Sequence, residues 1–312
     1  MAAEGLPWRG PGPGRPELPL PPDQMPKGRQ EGVRRKRWRY LGAFSDELML
    51  CAARVGVGPL GQTFWAVWDR ETRELTENTR MIIPMLARGE VWSEHAPAEG
   101  DEPGQVDWAP ESGKLRVRIE AAASDDRAQV RGFLGVESAG PWAEAVCPTG
   151  EGDGWVWTRK RPVTVEVNLH LGEKHIKCEA RGIEDESCGY HPHHTVWDWS
   201  AGVGTTADGK AVAWNLVSGV NDPPRGSERA IWVDGELAGE PAPVTFHGLE
   251  SVSFDDGSRL VCDAEAERSR DESKPFVKYS YRQPFGTFTG SLPGGLKLAS
   301  GCGVMEHQDA TW

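Results

Sequence analysis

The sequence predicts an all-β fold of two antiparallel β-barrels in tandem, preceded by an extended arm rich in proline and glycine. Three observations support this prediction. The 312 residues include 38 Gly and 24 Pro, which leaves little room for long helices. Short runs of alternating apolar and polar residues recur along the chain, and Asp-Gly turn signals separate several of them. They indicate about seventeen strands, which is too many for one small barrel and fits two.

The arm, residues 1–35, contains the run Leu6–Gly14, whose alternating Pro and Gly residues cannot form a helix. Two interpretations stay open: a disordered tail, and an arm that lies over the domain and is held there by Trp8 and Leu20. Residues 1–40 carry nine Lys or Arg against four Asp or Glu, whereas the whole chain has a net charge of −12. Attraction between a basic arm and an acidic body would favour the second interpretation and would weaken with salt.

A dense basic run, Arg34–Arg39, ends the arm and begins the body. Such a run can mark a nucleic-acid site. Here, however, Trp38, Tyr40 and Leu41 lead directly into apolar chain, and the rest of the protein is acidic. We therefore interpret the run as the solvated entry to a first strand, and we expect no nucleic-acid partner.

The two barrels are predicted to span residues 36–183 and 184–312, with a margin of about 30 residues on their boundary. The clearest strands are Lys114–Glu120 and Arg161–Leu169, in which the apolar residues share one face. The other candidate strands are Glu47–Arg54, Gln62–Trp68 and residues 173–181, 192–199, 210–217, 229–234, 250–255, 258–267, 276–282, 284–290 and 296–304.

Several functional classes lose support. The run Gly56–Gly61 matches the dinucleotide-binding pattern, but Phe64, Trp65 and Val67 follow in strand-like order where a helix would be needed. A membrane span needs roughly 18 consecutive apolar residues, and the chain has no such run. The leading residues lack the apolar core of a secretory signal, and the six Cys form no C-x-x-C pair. We therefore expect reduced thiols and a cytoplasmic location.

The most informative segment is residues 182–200. It combines an acidic residue, three histidines and two tryptophans, namely Asp185, His191, His193, His194, Trp197 and Trp199. In a strand, residues of the same parity share a face unless Pro192 or a bulge breaks the register. Three interpretations stay open: a metal site with Glu306 and His307 as further ligands, a general acid/base cluster, and a hydrogen-bonded structural corner.

Several strings of the chain resemble the bacterial family called domain of unknown function 2804. The resemblance is carried by Gly189–Gly204, Ala213–Asp222, Tyr281–Phe288 and Gly301–His307, and also by Leu6–Gly14 and Lys36–Tyr40. It covers nearly the full chain, and it implies no assigned activity.

A fainter similarity extends to the hydroxyneurosporene synthase and tocopherol cyclase-like proteins. Its residues are Gly182, Asp185, Gly189, Trp197, Trp199 and the pair Asp208-Gly209. Those relatives are tandem lipocalin-like barrels, so the resemblance implies two lipocalin-like antiparallel barrels here. Some of them add water to isoprenoid double bonds or cyclise them. The relatives' motif is richer in Asp-His and Asn, whereas Glu186, Ser187 and Cys188 follow Asp185 here, so the similarity supports the fold more than the chemistry.

We therefore expect a Trp-lined cavity for an apolar small molecule such as a lipid or isoprenoid. The expected activity is acid catalysis without cofactor or metal, by a hydratase, cyclase or isomerase, in which a dry pocket keeps one acid protonated. The catalytic candidates are Asp185, His191, His194 and Glu306. The ligand-binding candidates are Tyr190, Trp197, Trp199, Asn215, Trp232, Arg282 and His307. Two alternatives stay open: a lipocalin-like carrier that binds its lipid unchanged, and an interaction protein that uses the arm.

The 14 Trp of the chain also predict a placement. The pairs Trp155/Trp157 and Trp197/Trp199 put both rings of each pair on one face of a strand. An indole buries a large apolar area and needs a partner only for its N–H. Most of the tryptophans should therefore lie in two cores or in one seam between the barrels, with Trp197 and Trp199 beside any pocket.

Overall fold

The computed structural model describes residues 5–20, 25, 29–30, 32–57, 60–82, 106–111, 114–124, 127–149, 154–274 and 277–311. Within these residues the secondary structure is entirely β, with 22 strands and no helix. In chain order the strands are β1 (Trp8–Gly10), β2 (Arg29–Gln30), β3 (Val33–Arg34), β4 (Lys36–Phe44), β5 (Leu48–Val57), β6 (Leu60–Asp69), β7 (Glu74–Ile82), β8 (Val106–Glu111), β9 (Lys114–Ala121), β10 (Val130–Ala139), β11 (Ala143–Pro148), β12 (Trp155–Leu171), β13 (Lys174–Gly189), β14 (His194–Thr206), β15 (Ala211–Ser218), β16 (Ala230–Val233), β17 (Glu236–Gly239), β18 (Thr245–His247), β19 (Ser251–Ser253), β20 (Arg259–Lys274), β21 (Val277–Leu292) and β22 (Leu296–Thr311).

The first sheet has eleven antiparallel strands, nine of them in the order β7-β6-β5-β4-β13-β12-β10-β9-β8. Strand β11 pairs with β12, and β1 of the arm pairs with β11. Trp108 of the edge strand β8 packs in the same buried cluster as Trp65 and Leu50, which lie near the opposite edge. The sheet therefore curls around one apolar interior.

The second sheet has nine antiparallel strands in the order β17-β16-β15-β14-β22-β21-β20-β19-β18. Its interior joins Trp214 and Ile231, near one edge, to Val252 and Leu260, near the other. The ring of Trp214 meets Phe288 edge-on, with 5.1 Å between centroids. The predicted all-β fold with two antiparallel sheets in tandem is confirmed.

A third apolar cluster joins the two sheets, and we call this contact the seam. It packs Tyr40, Phe44 and Ile183 of the first sheet against Trp199 and Val304 of the second. The chain passes from the first sheet to the second between Gly189 and His194. That crossing lies a few residues after the predicted boundary at residues 183 and 184.

The described part of the arm lies on the first sheet. Trp8, Leu20 and Met25 are buried in a cluster with Trp155 and Trp157. This is the arrangement of the second interpretation, in which an apolar arm covers the domain rather than extending into solvent. No helix within the described residues is long and apolar enough to cross a membrane.

The basic run after the arm is a strand entry, as predicted, but the expectation that it is solvated is wrong. Lys36 and Arg37 are both buried. Strand β4 lies beside β13, where Glu186 accepts a hydrogen bond from Arg37 at 2.7 Å. The acidic residues of the neighbouring strand thus allow this cation to be buried.

The predicted tryptophan placement is met in part. The two interiors hold Trp65, Trp108 and Trp214, and the seam holds Trp68, Trp197, Trp199 and Trp232. The arm cluster holds Trp8, Trp155 and Trp157, a third location that the pattern did not indicate. Trp92 and Trp312 lie outside the described residues.

Candidate functional site

Buried polar side chains from both sheets meet at one end of the seam. We call this group the seam cluster, and its members are Tyr40, Lys160, Asp185, Trp199, Asn215, Glu228, Tyr281, Gln283 and Glu306. Register explains much of the grouping. Asp185 of β13 lies between Tyr40 of β4 and Lys160 of β12, while Trp199 of β14 lies beside Glu306 of β22. Side chains that are level across neighbouring strands project from the same face.

Asp185 shares one ammonium group with a second carboxylate. Lys160 Nζ lies 2.5 Å from Asp185 Oδ1 and 3.5 Å from Glu228 Oε2. Burial raises the pKa of Asp185 to about 7, although Lys160 opposes the shift, and Glu228 and Glu306 add to it. Burial acts to lower the pKa of Lys160, but Asp185 and Glu228 outweigh it, and that pKa is raised. Near neutral pH the Asp185 carboxyl group can therefore gain or lose a proton, while Lys160 keeps its charge.

Glu306 is the second buried carboxyl group of the seam cluster. It accepts hydrogen bonds of 2.8 Å from Trp197 Nε1 and from Gln283 Nε2. Burial raises the pKa of Glu306 even though these donors favour the carboxylate. No cation forms an ion pair with Glu306 among the described residues.

Tyr40 lies opposite Asp185 and within the electrostatic reach of Glu306, and its hydroxyl has no hydrogen-bond partner within the described structure. Burial is the main cause that raises its pKa, and both Asp185 and Glu306 contribute, so Tyr40 keeps its proton. The ring meets Trp199 edge-on at 5.3 Å. The Trp199 indole donates to Asn215 Oδ1 at 2.8 Å, and Asn215 Nδ2 donates to the backbone oxygen of Glu228 at 3.0 Å.

His191 is buried beside the seam cluster, where its ring lies 4.6 Å from Trp38. Trp38 in turn stacks on Trp197. Burial, with Lys36 and Lys160 adding to it, holds the pKa of His191 well below its usual value. His191 is therefore a neutral imidazole, which argues against the predicted role of proton donor near neutral pH.

Pro192 breaks the register that would have aligned the histidines. Strand β14 starts only at His194, so His193 and His194 are exposed while His191 is buried. His194 Nε2 lies 2.8 Å from Asp309 at the surface, and His307 Nδ1 lies 2.8 Å from Asp198. The predicted catalytic role of His194 does not fit this position, because the residue lies outside the seam. Within the described residues no three His, Cys, Asp or Glu side chains are grouped for a metal ion.

The ligand-binding candidates separate in the same way. Trp197, Trp199, Asn215 and Trp232 are at the seam, and Trp232 Nε1 donates to the backbone oxygen of Pro141 at 3.0 Å. Tyr190 packs edge-on against Trp155 in the arm cluster, outside the seam. Arg282 and His307 project from the opposite face of the second sheet, and Arg282 pairs with Glu267. Their neighbours Gln283 and Glu306 take the seam positions instead.

Sequence reasoning missed Tyr40, Lys160, Glu228, Tyr281 and Gln283. Tyr40 and Lys160 carried a usable signal. Each stands within a strand next to a basic residue, and the alternation of the strand puts its side chain on the face that lies at the seam. Glu228 lies in a loop before β16 and carried no such signal.

The predicted Trp-lined cavity stays a prediction. An open surface depression of about 450 Å³ is present, but it is lined by His194, Asp271, Lys278, Tyr279, Asp309 and neighbouring polar residues. It contains no member of the seam cluster. At the seam itself, Asp185, Trp199, Tyr40 and Glu306 are all buried.

Comparison with known proteins gives a family and several distant structures. A family model described as "Domain of unknown function (DUF2804)" matches residues 22–312. No curated protein matches the chain. Among solved structures, an AttH candidate from Nitrosomonas europaea is 14% identical, with a TM-score of 0.48, over 93% of this chain and 98% of that one.

Two further structures show a similar extent of overlap. Kievitone hydratase from Nectria haematococca is 12% identical, with a TM-score of 0.49, over 89% of this chain and 88% of its own. CghA is 10% identical, with a TM-score of 0.40, over the same shares. All three TM-scores lie below 0.5, which is too low for the ligands or activities of these proteins to be carried over to this chain.

Proposed function

Because this chain belongs to the family described as a domain of unknown function (DUF2804), which supplies no activity, we propose its function from the seam cluster. The proposal is that the seam binds an apolar small molecule of lipid or isoprenoid type and acts on it by acid catalysis. The reaction would be a hydration, cyclisation or isomerisation, and it would use no cofactor.

One feature carries the proposal: burial raises the pKa of the Asp185 carboxyl group to about 7, and Asp185 lies beside Tyr40, whose ring meets Trp199 edge-on. A general acid works best when its pKa is close to the working pH. The faces of Trp199 and Tyr40 would stabilise positive charge that develops on a protonated substrate. A carboxylate that was simply neutralised by its own cation would supply neither property.

The proposed reaction needs only the seam residues, the substrate and, for a hydration, one water molecule. The electron pair of a substrate double bond takes the proton of Asp185 and forms a new C–H or O–H bond. The resulting cation is then attacked by water, attacked by a second double bond, or loses a neighbouring proton. In each case one proton is released and returns to Asp185, either directly or by way of Glu306, so the enzyme returns to its starting state.

The hydrogen-bond donors favour a ligand that carries oxygen over a plain hydrocarbon. The Tyr40 hydroxyl and a protonated Asp185 are both donors, and the Tyr40 hydroxyl has no acceptor within the described structure. A hydrocarbon would leave these buried donors unpaired, whereas a carbonyl oxygen would accept from them. We therefore favour an unsaturated carbonyl compound as the substrate class.

The experiment uses two probes with the same carbon skeleton, carvone, which has a carbonyl group, and limonene, which lacks it. Each is incubated with the protein in D2O, and deuterium in the product is followed by mass spectrometry. We expect incorporation with carvone, and a loss of about a hundredfold or more in Asp185→Asn and Glu306→Gln. Asp198→Asn is the matched control, because Asp198 lies on the opposite face of β14.

The outcomes separate the candidate functions. Wild-type rates in both Asp185→Asn and Glu306→Gln would contradict acid catalysis at the seam. Carvone that stays bound and unchanged in native mass spectrometry, with no deuterium exchange, would instead indicate the lipocalin-like carrier. Equal reactivity of limonene would contradict the carbonyl preference alone.

We also propose a cytoplasmic location. All six cysteines are free thiols, and Cys51, Cys147, Cys188 and Cys262 are buried. Unpaired thiols in this number are typical of a reducing compartment.

A further inference from the structure

The N-terminal arm touches the loop that carries Glu228. Arg9 Nη1 donates to the backbone oxygen of Ser227 at 2.5 Å. Next to that contact, a Cβ atom at Gly226 would lie 3.1 Å from Cβ of Pro7, so arm and loop are in close contact. Gly226 has a positive φ of 77°, which favours glycine at this turn.

The same loop is also held by a single carboxylate. Glu240 accepts hydrogen bonds from the backbone N–H groups of Gly226, at 3.0 Å, and Ser227, at 2.7 Å, and from the Ser227 hydroxyl at 2.6 Å. The segment 226–228 is thus clamped between Glu240 and Arg9.

From this clamp a continuous series of contacts runs into the seam cluster. Glu228 follows Ser227 directly, and its carboxylate accepts from Asn221 Nδ2 at 2.9 Å and lies 3.5 Å from Lys160 Nζ. Lys160 in turn binds Asp185. Five residues therefore connect the arm to the candidate acid: Arg9, Ser227, Glu228, Lys160 and Asp185.

We infer that Arg9 is a positioning residue, which holds the 226–228 segment so that Glu228 stays against Lys160 and keeps its negative charge close to Asp185. The importance of this for catalysis rests on the proposed function, but the electrostatic effect does not. Arg9 of strand β1 would then be part of the site, in addition to the arm's contacts with the first sheet.

The sign of the effect follows from the groups around Asp185. The cation is Lys160, the other acids are Glu228 and Glu306, and Tyr40 and His191 face the same space as neutral groups. Glu228 raises the pKa of Asp185. If Glu228 moves away, Lys160 forms its ion pair with Asp185 alone. The pKa of Asp185 then falls, and less of the acid is protonated at neutral pH.

The test titrates Asp185 in the full-length chain by infrared spectroscopy. The carbonyl stretch of its protonated form is assigned by its loss in Asp185→Asn. In Arg9→Ala we expect the midpoint to move to lower pH by about half a pH unit, which is about a threefold drop in the protonated fraction above the midpoint. Arg9→Gln, which can still donate to the Ser227 oxygen, should restore the wild-type midpoint.

Two controls decide the interpretation. Arg15→Ala removes another arm arginine, which contacts Glu144 of the first sheet, and should leave the midpoint unchanged. In a Glu228→Gln background, Arg9→Ala should cause no further shift, because the arm acts through Glu228. A wild-type midpoint in Arg9→Ala, or an equal shift in both backgrounds, would overturn the inference. Neither result depends on turnover, so a failure here is distinct from a failure of the proposed acid catalysis.

Discussion

Three consecutive acidic residues of strand β13 experience opposite electrostatic environments. Glu184 and Glu186 face the interior of the first sheet, where each binds two arginines: Arg39 and Arg161 for Glu184, and Arg37 and Arg159 for Glu186. Asp185 faces the seam, where it shares one lysine with Glu228. All three carboxyl groups are buried.

For Asp185 and Glu186, which are both buried, the number of cations per carboxylate sets the direction of the pKa shift. Burial acts to raise the pKa of Glu186, but Arg159, Arg39 and Arg37 outweigh it and the pKa is lowered. With two carboxylates for one lysine, burial prevails at Asp185 and its pKa rises to about 7. The alternation of a single strand thus places a structural ion cluster and a candidate acid one residue apart.

The largest expected effect comes from removing a charge of the structural ion cluster at Glu186. Glu186→Gln leaves Arg37 and Arg159 without their shared counter-charge, and removing one partner of a buried ion network costs about 3 kcal/mol. The free energy of unfolding from urea denaturation measures this cost. Glu179→Gln, at an exposed position of the same strand, is the matched control and should change stability by less than about 0.5 kcal/mol. Equal losses in the two variants would show that the cluster does not stabilise the fold.

A smaller effect, with a distinctive pH dependence, is expected at Asp185. Because its folded-state pKa is raised, the folded protein binds a proton that the unfolded chain releases above about pH 4. Asp185 therefore stabilises the fold most at low pH, and this contribution is lost as pH rises towards 7. Asp185→Asn resembles the protonated form. It should therefore lower the free energy of unfolding by about 1 kcal/mol or less at pH 5, and its stability relative to the wild type should rise by pH 8.

Urea denaturation at several pH values between 5 and 8 checks this prediction. Glu186 provides the opposite reference, since a group with a lowered pKa stabilises the fold above its unfolded-state pKa and loses that contribution only as pH falls through the lowered value. If Asp185→Asn lost stability relative to the wild type as pH rose, Asp185 would be an ordinary salt-bridged carboxylate and the candidate acid would be excluded.

Local pattern was sufficient to predict the all-β fold and the strand faces on which several candidate residues lie. Alternation identified strands such as Arg161–Leu169, which lies within β12, and the same rule places Asp185, Trp197, Trp199 and Glu306 on seam faces. The partners of Asp185 were beyond such reasoning. Lys160 needs the β12–β13 register, and Glu228 reaches the site from a loop that is positioned by contacts with Glu240 and the arm.

Two kinds of displacement from the seam come from neighbours along the chain. His194 is close to His191 in sequence, but Pro192 delays the start of β14 and leaves His194 exposed. Arg282 and His307 belong to strings that do reach the seam, but through the adjacent residues Gln283 and Glu306. In a strand, a shift of one residue moves a side chain to the other face.

The smallest expected effect, that of Arg282→Ala, belongs to a comparison of adjacent residues in the second sheet. Arg282 pairs with Glu267 in solvent, with 57% of its side chain exposed, so Arg282→Ala should change the free energy of unfolding by less than about 0.5 kcal/mol. Gln283→Leu removes the buried donor to Glu306 Oε2 and should cost about 2 kcal/mol. Urea denaturation of both variants, together with carvone titration by tryptophan fluorescence, measures the difference. A change in carvone affinity in Arg282→Ala with none in Gln283→Leu would move the binding site away from the seam, and adjacent residues of β21 would then have the reverse of the roles that strand alternation gives them.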